Sequence, residues 1–397
     1  MWDKRLSTSL GPIKLKNPFL IGAGPASMYL DDIKRAEEEN AGGVISKSIG
    51  AHNSNESIKP TDIRRYKWIR GYGNYLKSTY LKEILPMDYG MRLIENAKSQ
   101  CDIPIIASLF YPYFFEENSI DIWLSLFKEA EKAGADGIQI DFFYLDLKKM
   151  CNADIYRVIE IINRLARSVK IPVFPKLNIR MDDDLIDGII TNCNVGGLIY
   201  LDSINVQPYI DISNKGRPIF DGDLYDSLTG ASNSVVAGEP LLPFTFNYTQ
   251  ILRSKTNLSL SAGGGLDKWQ DIIRCLMLGA NSIHLTSVIM KKGFQHINGL
   301  KESLNKFLDK NEYNTLLDLI GVSLEHYPEH FGKIKSRETL QVKTTLLEDK
   351  CVKCNICENM VTCNSFKSIP YNFDKNCDGC SMCHDLCPAK ALVYDIH

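Results

Sequence analysis

Eight of the twelve cysteines lie close together at the C-terminal end of the chain. They form two groups of four, namely Cys351, Cys354, Cys357 and Cys363, then Cys377, Cys380, Cys383 and Cys387. Cysteine thiolates are the preferred ligands of iron–sulfur clusters and also bind zinc. Two intervening residues allow a tight turn that directs neighbouring thiolates to adjacent corners of one cluster. We therefore expect this end of the chain to hold metal and to transfer electrons.

The second group has the spacing C-x2-C-x2-C-x3-C and is followed by Pro388. This run resembles that of the bacterial two-cluster ferredoxins, in which the fourth cysteine binds the other cluster. The first group departs from it, with five residues before Cys363 and no proline after it, so we expect a longer arm there. The expected ligands are Cys351, Cys354, Cys357 and Cys387 for one 4Fe–4S cluster, and Cys363, Cys377, Cys380 and Cys383 for the other.

Two other readings of these cysteines are a pair of zinc knuckles and a disulfide module. Zinc takes four ligands in separated pairs, and disulfides are uncommon in a chain without a secretory signal. The spacing favours the two-cluster interpretation.

The composition is that of a globular protein, with 44% hydrophobic and 24% charged residues among 397. This length fits a large barrel followed by a small module. The net charge of −2 gives no electrostatic argument for binding nucleic acid or a membrane, and we find no apolar run long enough to cross one. We expect a cytoplasmic protein whose other cysteines are buried free thiols: Cys101, Cys151, Cys193 and Cys275.

Short apolar runs alternate with helical patterns up to about residue 290, as is typical of parallel strands covered by helices. The predicted strands cover 18–24, 42–48, 104–110, 137–143, 172–178, 196–202, 258–264 and 282–288. Eight such units indicate a (β/α)8 TIM barrel. An open doubly wound sheet is the alternative, but it would have fewer strands and an early glycine-rich fingerprint, which IGAGPAS does not provide.

The predicted domains are a barrel with C-terminal helices at 1–330, a polar linker at 331–349 and a small α+β ferredoxin-like domain at 350–397. The C-terminal helices are expected in LKESLNKFLDK and YNTLLDLIGVSLEHY. The segments 146–154 and 204–234 are long enough to be lids or substrate walls at the barrel mouth.

In a barrel of this type, the chemistry lies at the C-terminal ends of the strands. Lys176 lies inside an apolar strand, VFPKLN, where an ammonium group has no access to solvent. A buried cation needs an anionic partner, and a reduced flavin would supply one. The stretch SAGGGLD adds three glycines between a strand and a helix, where backbone N–H groups can approach a phosphate.

The order of motifs resembles the dihydroorotate dehydrogenases, and more closely the FMN-and-ferredoxin portion of dihydropyrimidine dehydrogenases. These motifs are LGPIKLKNPFLIGAGP, ISKSIG, IPIIASLF, AGADGIQI, IPVFPKLN, SAGGGLD and LGANSIHLTS, followed by the cysteine groups. The resemblance implies FMN in the barrel, with Lys176 facing the flavin N1/O2 edge, and two 4Fe–4S clusters. It implies an FMN site of Ala23, Gly24, Lys47, Lys176, Gly238, Gly264, Gly265, Thr286 and Ser287, to which the strand ends add Ser48, Asp202 and Ser203.

The catalytic loop departs from this family. Where the family reads Asn-Leu-Ser-Cys-Pro, the chain reads Asp-Phe-Phe-Tyr-Leu from Asp141, so Tyr144 takes the place of the catalytic cysteine. Asp202 replaces a second asparagine, and the asparagine expected near residue 81 is absent. A carboxylate only accepts hydrogen bonds, so Asp141 and Asp202 would favour donor-rich or cationic ligands over a pyrimidine. The catalytic candidates are Tyr144, Asp141 and Lys176.

Two function classes follow. In the first, an oxidoreductase transfers hydride between FMN and a C=C or C–C bond next to a carbonyl, and Tyr144 handles the proton. A tyrosine is a workable acid but a poor base at pH 7, which favours reduction of the substrate. In the second, the chain is an electron-transfer subunit without substrate chemistry. We expect a ferredoxin or a separate FAD/NAD(P)H subunit as the electron partner, and a homo-oligomer.

Overall fold

The computed structural model describes residues 4–51, 75–77, 84–111, 114, 118–142, 154–179, 181–201, 203–206, 210–218, 234–327, 344–359, 363, 366–367, 372–373 and 381–394. The chain divides into two compact units, Met1–Tyr327 and Pro328–His397. We call them the barrel unit and the C-terminal unit.

Eight parallel strands close into a barrel in the barrel unit. They are β1 (Phe19–Ile21), β2 (Gly43–Ile45), β3 (Ile105–Leu109), β4 (Gly137–Asp141), β5 (Val173–Leu177), β6 (Gly197–Tyr200), β7 (Ser259–Ala262) and β8 (Ser282–Leu285). Each strand pairs with the next, and β8 pairs with β1. The predicted TIM barrel is confirmed, and the closed ring excludes an open sheet.

The interior of the barrel is apolar further from the C-terminal ends of the strands and polar near those ends. Leu20, Ile45, Ile106, Phe174 and Ile199 form one buried cluster with the N-terminal hairpin Thr8–Leu10 and Ile13–Leu15. Side chains two positions apart along a strand lie on the same face. Two residues beyond three of these core positions come the buried polar side chains of Lys47, Ser108 and Lys176. Inward-facing residues therefore form an apolar core, followed by a polar layer near the C-terminal ends of the strands.

Helices follow most of the strands and cover the outside of the barrel. They are Leu30–Glu38, Met87–Gln100, Ser119–Lys132, Ile155–Arg167, Asp183–Asn192, Leu242–Lys255, Trp269–Met277, Ser287–Lys292 and His296–Lys310. Ile155–Arg167 shows the sequence logic: the Asp154 side chain caps it by accepting from the Arg157 N–H, at 3.2 Å. Such a cap is worth about 1 kcal/mol. The helix buries one stripe, Val158, Ile159, Ile162, Leu165 and Ala166.

The second predicted C-terminal helix is not an α-helix. Residues 313–327 contain two short 3₁₀ segments, Leu316–Asp318 and Val322–His326. Gly321 lies between them in the left-handed region, at φ 81°. An α-helix cannot continue through that conformation. The apolar residues that predicted one helix therefore lie on two separate 3₁₀ turns.

An antiparallel sheet extends from the C-terminal side of the barrel. The strand Ser203–Val206 pairs with Ser234–Ala237, which pairs in turn with Tyr75–Lys77. A two-residue hairpin, Ile210–Asp211 with Arg217–Pro218, follows the first of these strands. The described parts of the predicted lid segment 204–234 are thus strands and a hairpin, whereas segment 146–154 lies outside the described residues apart from Asp154.

The described part of the C-terminal unit contains two small antiparallel ladders. Thr344–Leu346 pairs with Leu392–Tyr394, and Phe366–Lys367 pairs with Asn372–Phe373. A 3₁₀ segment, Ile356–Asn359, and a short helix, Met382–Leu386, lie between strands. Thr344–Leu346 falls inside the predicted linker, residues 331–349. The ferredoxin-like fold itself stays a prediction.

Within the described ranges, no helix is long and apolar enough to span a membrane.

Candidate active site

A lysine and an aspartate meet at the polar end of the barrel. Lys176 is paired in register with Asp141 on the neighbouring strand, β4. The Lys176 Nζ lies 4.0 Å from Asp141 Oδ1, and both side chains are almost fully buried, at 4% and 2% exposure. An uncompensated buried charge costs several kcal/mol. Part of the counter-charge that the sequence led us to expect from a ligand therefore comes from the protein.

A chain of hydrogen bonds leads to the same carboxylate. Ser48 Oγ donates to Asp141 Oδ2 at 2.6 Å and lies 3.3 Å from Ser108 Oγ. Gln139 Nε2 donates to Ser108 Oγ at 2.7 Å. Since Ser48 gives its proton to Asp141, the Ser108 hydroxyl donates to Ser48. The direction of donation therefore runs from Gln139 through Ser108 and Ser48 to Asp141. All four side chains are buried.

The glycine turn after β7 has the shape that only glycine permits. Gly264 and Gly265 have φ values of +97° and +83°. A Cβ on Gly264 would lie 2.8 Å from Thr245 Oγ1, and a Cβ on Gly265 would lie 2.7 Å from the Gly238 carbonyl oxygen. Side chains are excluded here, and glycine turns between a strand and a helix are the kind of backbone that can approach a phosphate closely.

The ends of β1 and β8 approach each other closely beside this turn. A Cβ on Gly24 would lie 2.4 Å from the Thr286 methyl carbon, and one on Gly22 would lie 2.3 Å from Thr286 Oγ1. The Thr286 hydroxyl is buried and makes no hydrogen bond within the part of the chain that the structure describes. Buried hydroxyls are nearly always bonded, so this one is suited to a ligand oxygen.

These observations fit the cofactor that the sequence resemblance implies. A phosphate group suits the glycine turn and the Thr286 hydroxyl, and a ring that gains negative charge suits the buried Lys176. Most of the predicted cofactor residues lie at or just beyond barrel strand ends: Ala23, Gly24, Lys47, Ser48, Lys176, Gly264, Gly265, Thr286 and Ser287. Ser203 opens a strand of the antiparallel sheet and Gly238 follows another.

Two predicted site residues, Tyr144 and Asp202, lie outside the described residues. The other two catalytic candidates lie on barrel strands: Asp141 is the last residue of β4, and Lys176 lies on β5.

Sequence reasoning missed three residues of the site: Ser108, Gln139 and Thr245. Thr245 Oγ1 lies 2.9 Å from the Gly263 carbonyl oxygen and 2.7 Å from that of Gly264. The available signal was a polar residue inside an otherwise apolar strand, as in IIASL and GIQID. Thr245 has no such signal, because it lies on a helix.

Four cysteines of the C-terminal unit line one cavity. They are Cys351, Cys354, Cys357 and Cys387, and Leu346 and Leu392 complete the apolar wall. These are the four cysteines expected at one cluster. No three potential ligands in the described ranges converge closely enough for a single metal ion. A four-iron cluster takes one thiolate for each iron, so its ligands surround a cavity instead of meeting at one point.

The remaining cysteines give a partial account of the second cluster. Cys383 is buried and Cys363 is half-buried, and both are free thiols. Cys377 and Cys380 lie outside the described residues, so the second ligand set stays a prediction.

The backbone around Cys387 favours its thiolate. Burial acts to raise the pKa of Cys387, but the backbone N–H groups of residues 389–392 outweigh it and lower the pKa below its usual value. One of these groups, the Ala391 N–H, donates to the sulfur at 3.3 Å. Burial raises the pKa of Cys357, and the neighbouring thiols add to that effect. A thiolate is the form that binds metal, and N–H bonds to sulfur tune iron–sulfur clusters.

Comparison with known proteins agrees with this architecture. No protein-family model matches the chain. It is 24% identical over 372 residues to the NAD-dependent dihydropyrimidine dehydrogenase subunit PreA of Escherichia coli. The aligned region covers 90% of this chain and 85% of that protein. It is 24% identical over 353 residues to the chloroplastic NADP(+) dihydropyrimidine dehydrogenase of Arabidopsis thaliana, with coverage of 84% and 80%.

The similarity extends to a second group of enzymes. The chain is 26% identical over 331 residues to the catalytic subunit of dihydroorotate dehydrogenase B from Pyrococcus abyssi, which covers 81% of this chain and 99% of that subunit. These relatives are dehydrogenases. Over most of its length, the chain is therefore a homologue of the dihydropyrimidine and dihydroorotate dehydrogenases, as its motifs predicted.

Proposed function

We propose that the protein is an FMN-dependent oxidoreductase that reduces a C=C bond next to a carbonyl in a small cyclic compound, or oxidises the corresponding C–C bond. The observation that carries this proposal is the buried pair of Lys176 and Asp141 at the barrel mouth, 4.0 Å apart. A soluble scaffold has no structural need for a buried ammonium group. At a strand end of a barrel, such a group is best explained by a ligand that develops charge.

Bound FMN would supply the two-electron chemistry, taking up or giving hydride. Lys176 would hold a positive charge beside the ring edge. Gly264 and Gly265 would admit the phosphate to their backbone N–H groups, and the Thr286 hydroxyl would donate to a phosphate oxygen. The close approach of Gly24 to Thr286 is consistent with this arrangement, because a side chain at position 24 would collide with Thr286.

The substrate is proposed to be a pyrimidine-type or related unsaturated ring. The relatives are named for dihydropyrimidine and dihydroorotate, whereas this chain has Asp141 where the family motif has an amide. Tyr144 would hold a proton at its phenolic oxygen and donate it to the substrate carbon as hydride arrives at the adjacent carbon. One hydride and one proton together saturate one C=C bond.

The C-terminal unit is proposed to carry two 4Fe–4S clusters that connect the flavin to an external electron carrier. The cavity lined by Cys351, Cys354, Cys357 and Cys387 supports the first cluster. The carrier would be a ferredoxin or a separate FAD/NAD(P)H subunit. The names of two relatives support a separate partner, since each is described as a subunit.

Cofactor content is the first test. Protein purified without oxygen should hold about one FMN per chain and about eight iron atoms, the number that two four-iron clusters require. Phosphate release and chromatography distinguish FMN from FAD. A chain with FAD, or with about four iron atoms, would contradict this assignment.

Substrate chemistry is the second test. The reduced protein is mixed without oxygen with uracil, thymine, orotate and other cyclic unsaturated carbonyl compounds, and the flavin absorbance is followed. An oxidoreductase has at least one small oxidant that reacts rapidly. Reaction with redox proteins alone would favour an electron-transfer subunit, an alternative supported by the engagement of Asp141 with Ser48 and Lys176.

A further inference from the structure

Both oxygens of Asp141 are engaged by the protein. Oδ1 faces the Lys176 ammonium group, and Oδ2 accepts a hydrogen bond of 2.6 Å from Ser48. The residue is 1% exposed. The sequence predicts that this carboxylate accepts a hydrogen bond from a substrate. Its surroundings instead match those of a fixed charge inside the protein.

The position of this charge is set by the backbone. Asp141 and Lys176 are direct partners in the β4–β5 ladder, so their side chains lie side by side. Their separation of 4.0 Å exceeds the 2.7–2.9 Å typical of a charge-assisted hydrogen bond. The ammonium group is therefore held close to the carboxylate without a direct hydrogen bond to it.

The hydroxyl chain makes the carboxylate independent of a ligand. Gln139 donates to Ser108, and the Ser108 hydroxyl donates to Ser48, which donates to Asp141. This order supplies an O–H donor to Asp141 from the protein itself. It also fixes the side-chain orientation of a residue that could otherwise turn toward the barrel mouth.

We propose that Asp141 sets the reduction potential of the bound flavin by offsetting the charge of Lys176, and that it does not bind the substrate. This inference rests on the proposed function, in which FMN lies against Lys176. Two-electron reduction with uptake of one proton adds one negative charge to the bound cofactor. Lys176 stabilises that charge and Asp141 opposes it, so the pair holds the flavin at a lower potential than a lone lysine would. A lower potential makes the flavin a stronger reductant, which suits reduction of a C=C bond.

The reduction potential of the FMN-loaded protein tests this proposal directly, by anaerobic titration with dithionite and reference dyes. Asp141→Asn keeps the size of the side chain and removes its charge. We expect the ratio of affinities for reduced and oxidised FMN to rise by about tenfold, which raises the potential of a two-electron couple by about 30 mV. Ser48→Ala keeps both charges and removes only the hydrogen bond to the carboxylate, so it should change the potential by less than Asp141→Asn does.

A charge-compensation series separates this role from a structural one. Lys176→Met alone should lower the potential. The double variant Asp141→Asn with Lys176→Met should return near the wild-type value, because the pair has zero net charge in both the wild type and the double variant. Asp271→Asn is the matched control: it removes another buried carboxylate paired with a basic side chain, Arg274 at 2.9 Å, on an outer helix. Its potential should equal that of the wild type.

The outcomes are distinct. A chain that binds no FMN would contradict the proposed function. If FMN binds and Asp141→Asn leaves its potential unchanged while raising the KM of an oxidising substrate, Asp141 is a substrate ligand and the inference is wrong. If Asp141→Asn does not fold, the double variant is compared with Lys176→Met, and equal potentials in these two variants overturn the inference.

Discussion

The hydroxyl of Thr245 lies 2.7 Å from the carbonyl oxygen of Gly264 and joins an outer helix to the glycine turn after β7. Thr245 is fully buried on the helix Leu242–Lys255. The Gly263 carbonyl oxygen is also in reach of this hydroxyl, at 2.9 Å. One side chain therefore holds the two peptide groups whose N–H ends, on Gly264 and Gly265, are proposed to face the phosphate.

Replacing Thr245 by valine should loosen this turn. Valine has the same shape but no donor, so the carbonyl groups of Gly263 and Gly264 lose the one O–H donor that they share, at a cost of about 1–3 kcal/mol. We expect the Kd for FMN to rise and the Tm to fall, as measured by flavin fluorescence and thermal unfolding. Thr245→Ser is the control and should retain most of the affinity. Equal Kd values for both variants would show that the hydroxyl does not shape the cofactor site.

Gly264→Ala tests the turn from the other side. The added methyl group would meet Thr245 Oγ1 at 2.8 Å and the Leu201 carbonyl oxygen at 2.9 Å, at a φ of +97°. Such a conformation costs an L-residue about 1–3 kcal/mol. FMN content after purification should fall strongly, while iron content stays near the wild-type value. Gly299→Ala is a suitable control, because its Cβ would meet nothing within 4 Å.

The barrel could be predicted from sequence because each of its strands is a local signal. Runs such as PIIASLF and GIQIDFF are buried on both faces, so their apolar character is nearly continuous. All eight predicted segments contain a strand of the barrel. The burial of Lys176 followed from the same pattern.

Contacts between distant residues could not be predicted in this way. Ser48 and Asp141 are separated by 93 positions, and their bond depends on the register of three strands. The strand Tyr75–Lys77 joins a sheet with Ser234–Ala237, far along the chain, and nothing local indicates that partner. The C-terminal helix predicted at 313–327 was wrong for a different reason. Its apolar residues have helical spacing, but Gly321 adopts a left-handed conformation that an α-helix cannot include.

Cys387→Ser should remove one cluster and leave the other. Cys387 lines the cavity with Cys351, Cys354 and Cys357, and a cluster that loses a thiolate ligand is usually lost or unstable. Iron content should fall from about eight to about four atoms per chain, while FMN content is unchanged. Cys193→Ser is the control, since Cys193 lies in the barrel unit with its sulfur near the Ile159 carbonyl oxygen. If both variants keep the same iron content, Cys387 is not a ligand.

Tyr144→Phe tests the proposed proton donor. General acids typically contribute 10²–10⁴-fold to a rate, so reoxidation of the reduced flavin by an unsaturated substrate should slow by about that factor. Reduction of the flavin through the clusters should be unchanged, because electron transfer requires no proton from this phenol. Tyr156→Phe is the matched control: Tyr156 is 85% exposed on an outer helix, and its loss should leave both rates unaltered. The measurement is single-turnover mixing without oxygen, with the substrate found in the oxidant screen. If Tyr144→Phe reoxidises as fast as the wild type, the phenol is not the acid, and a chain that only carries electrons becomes the better description.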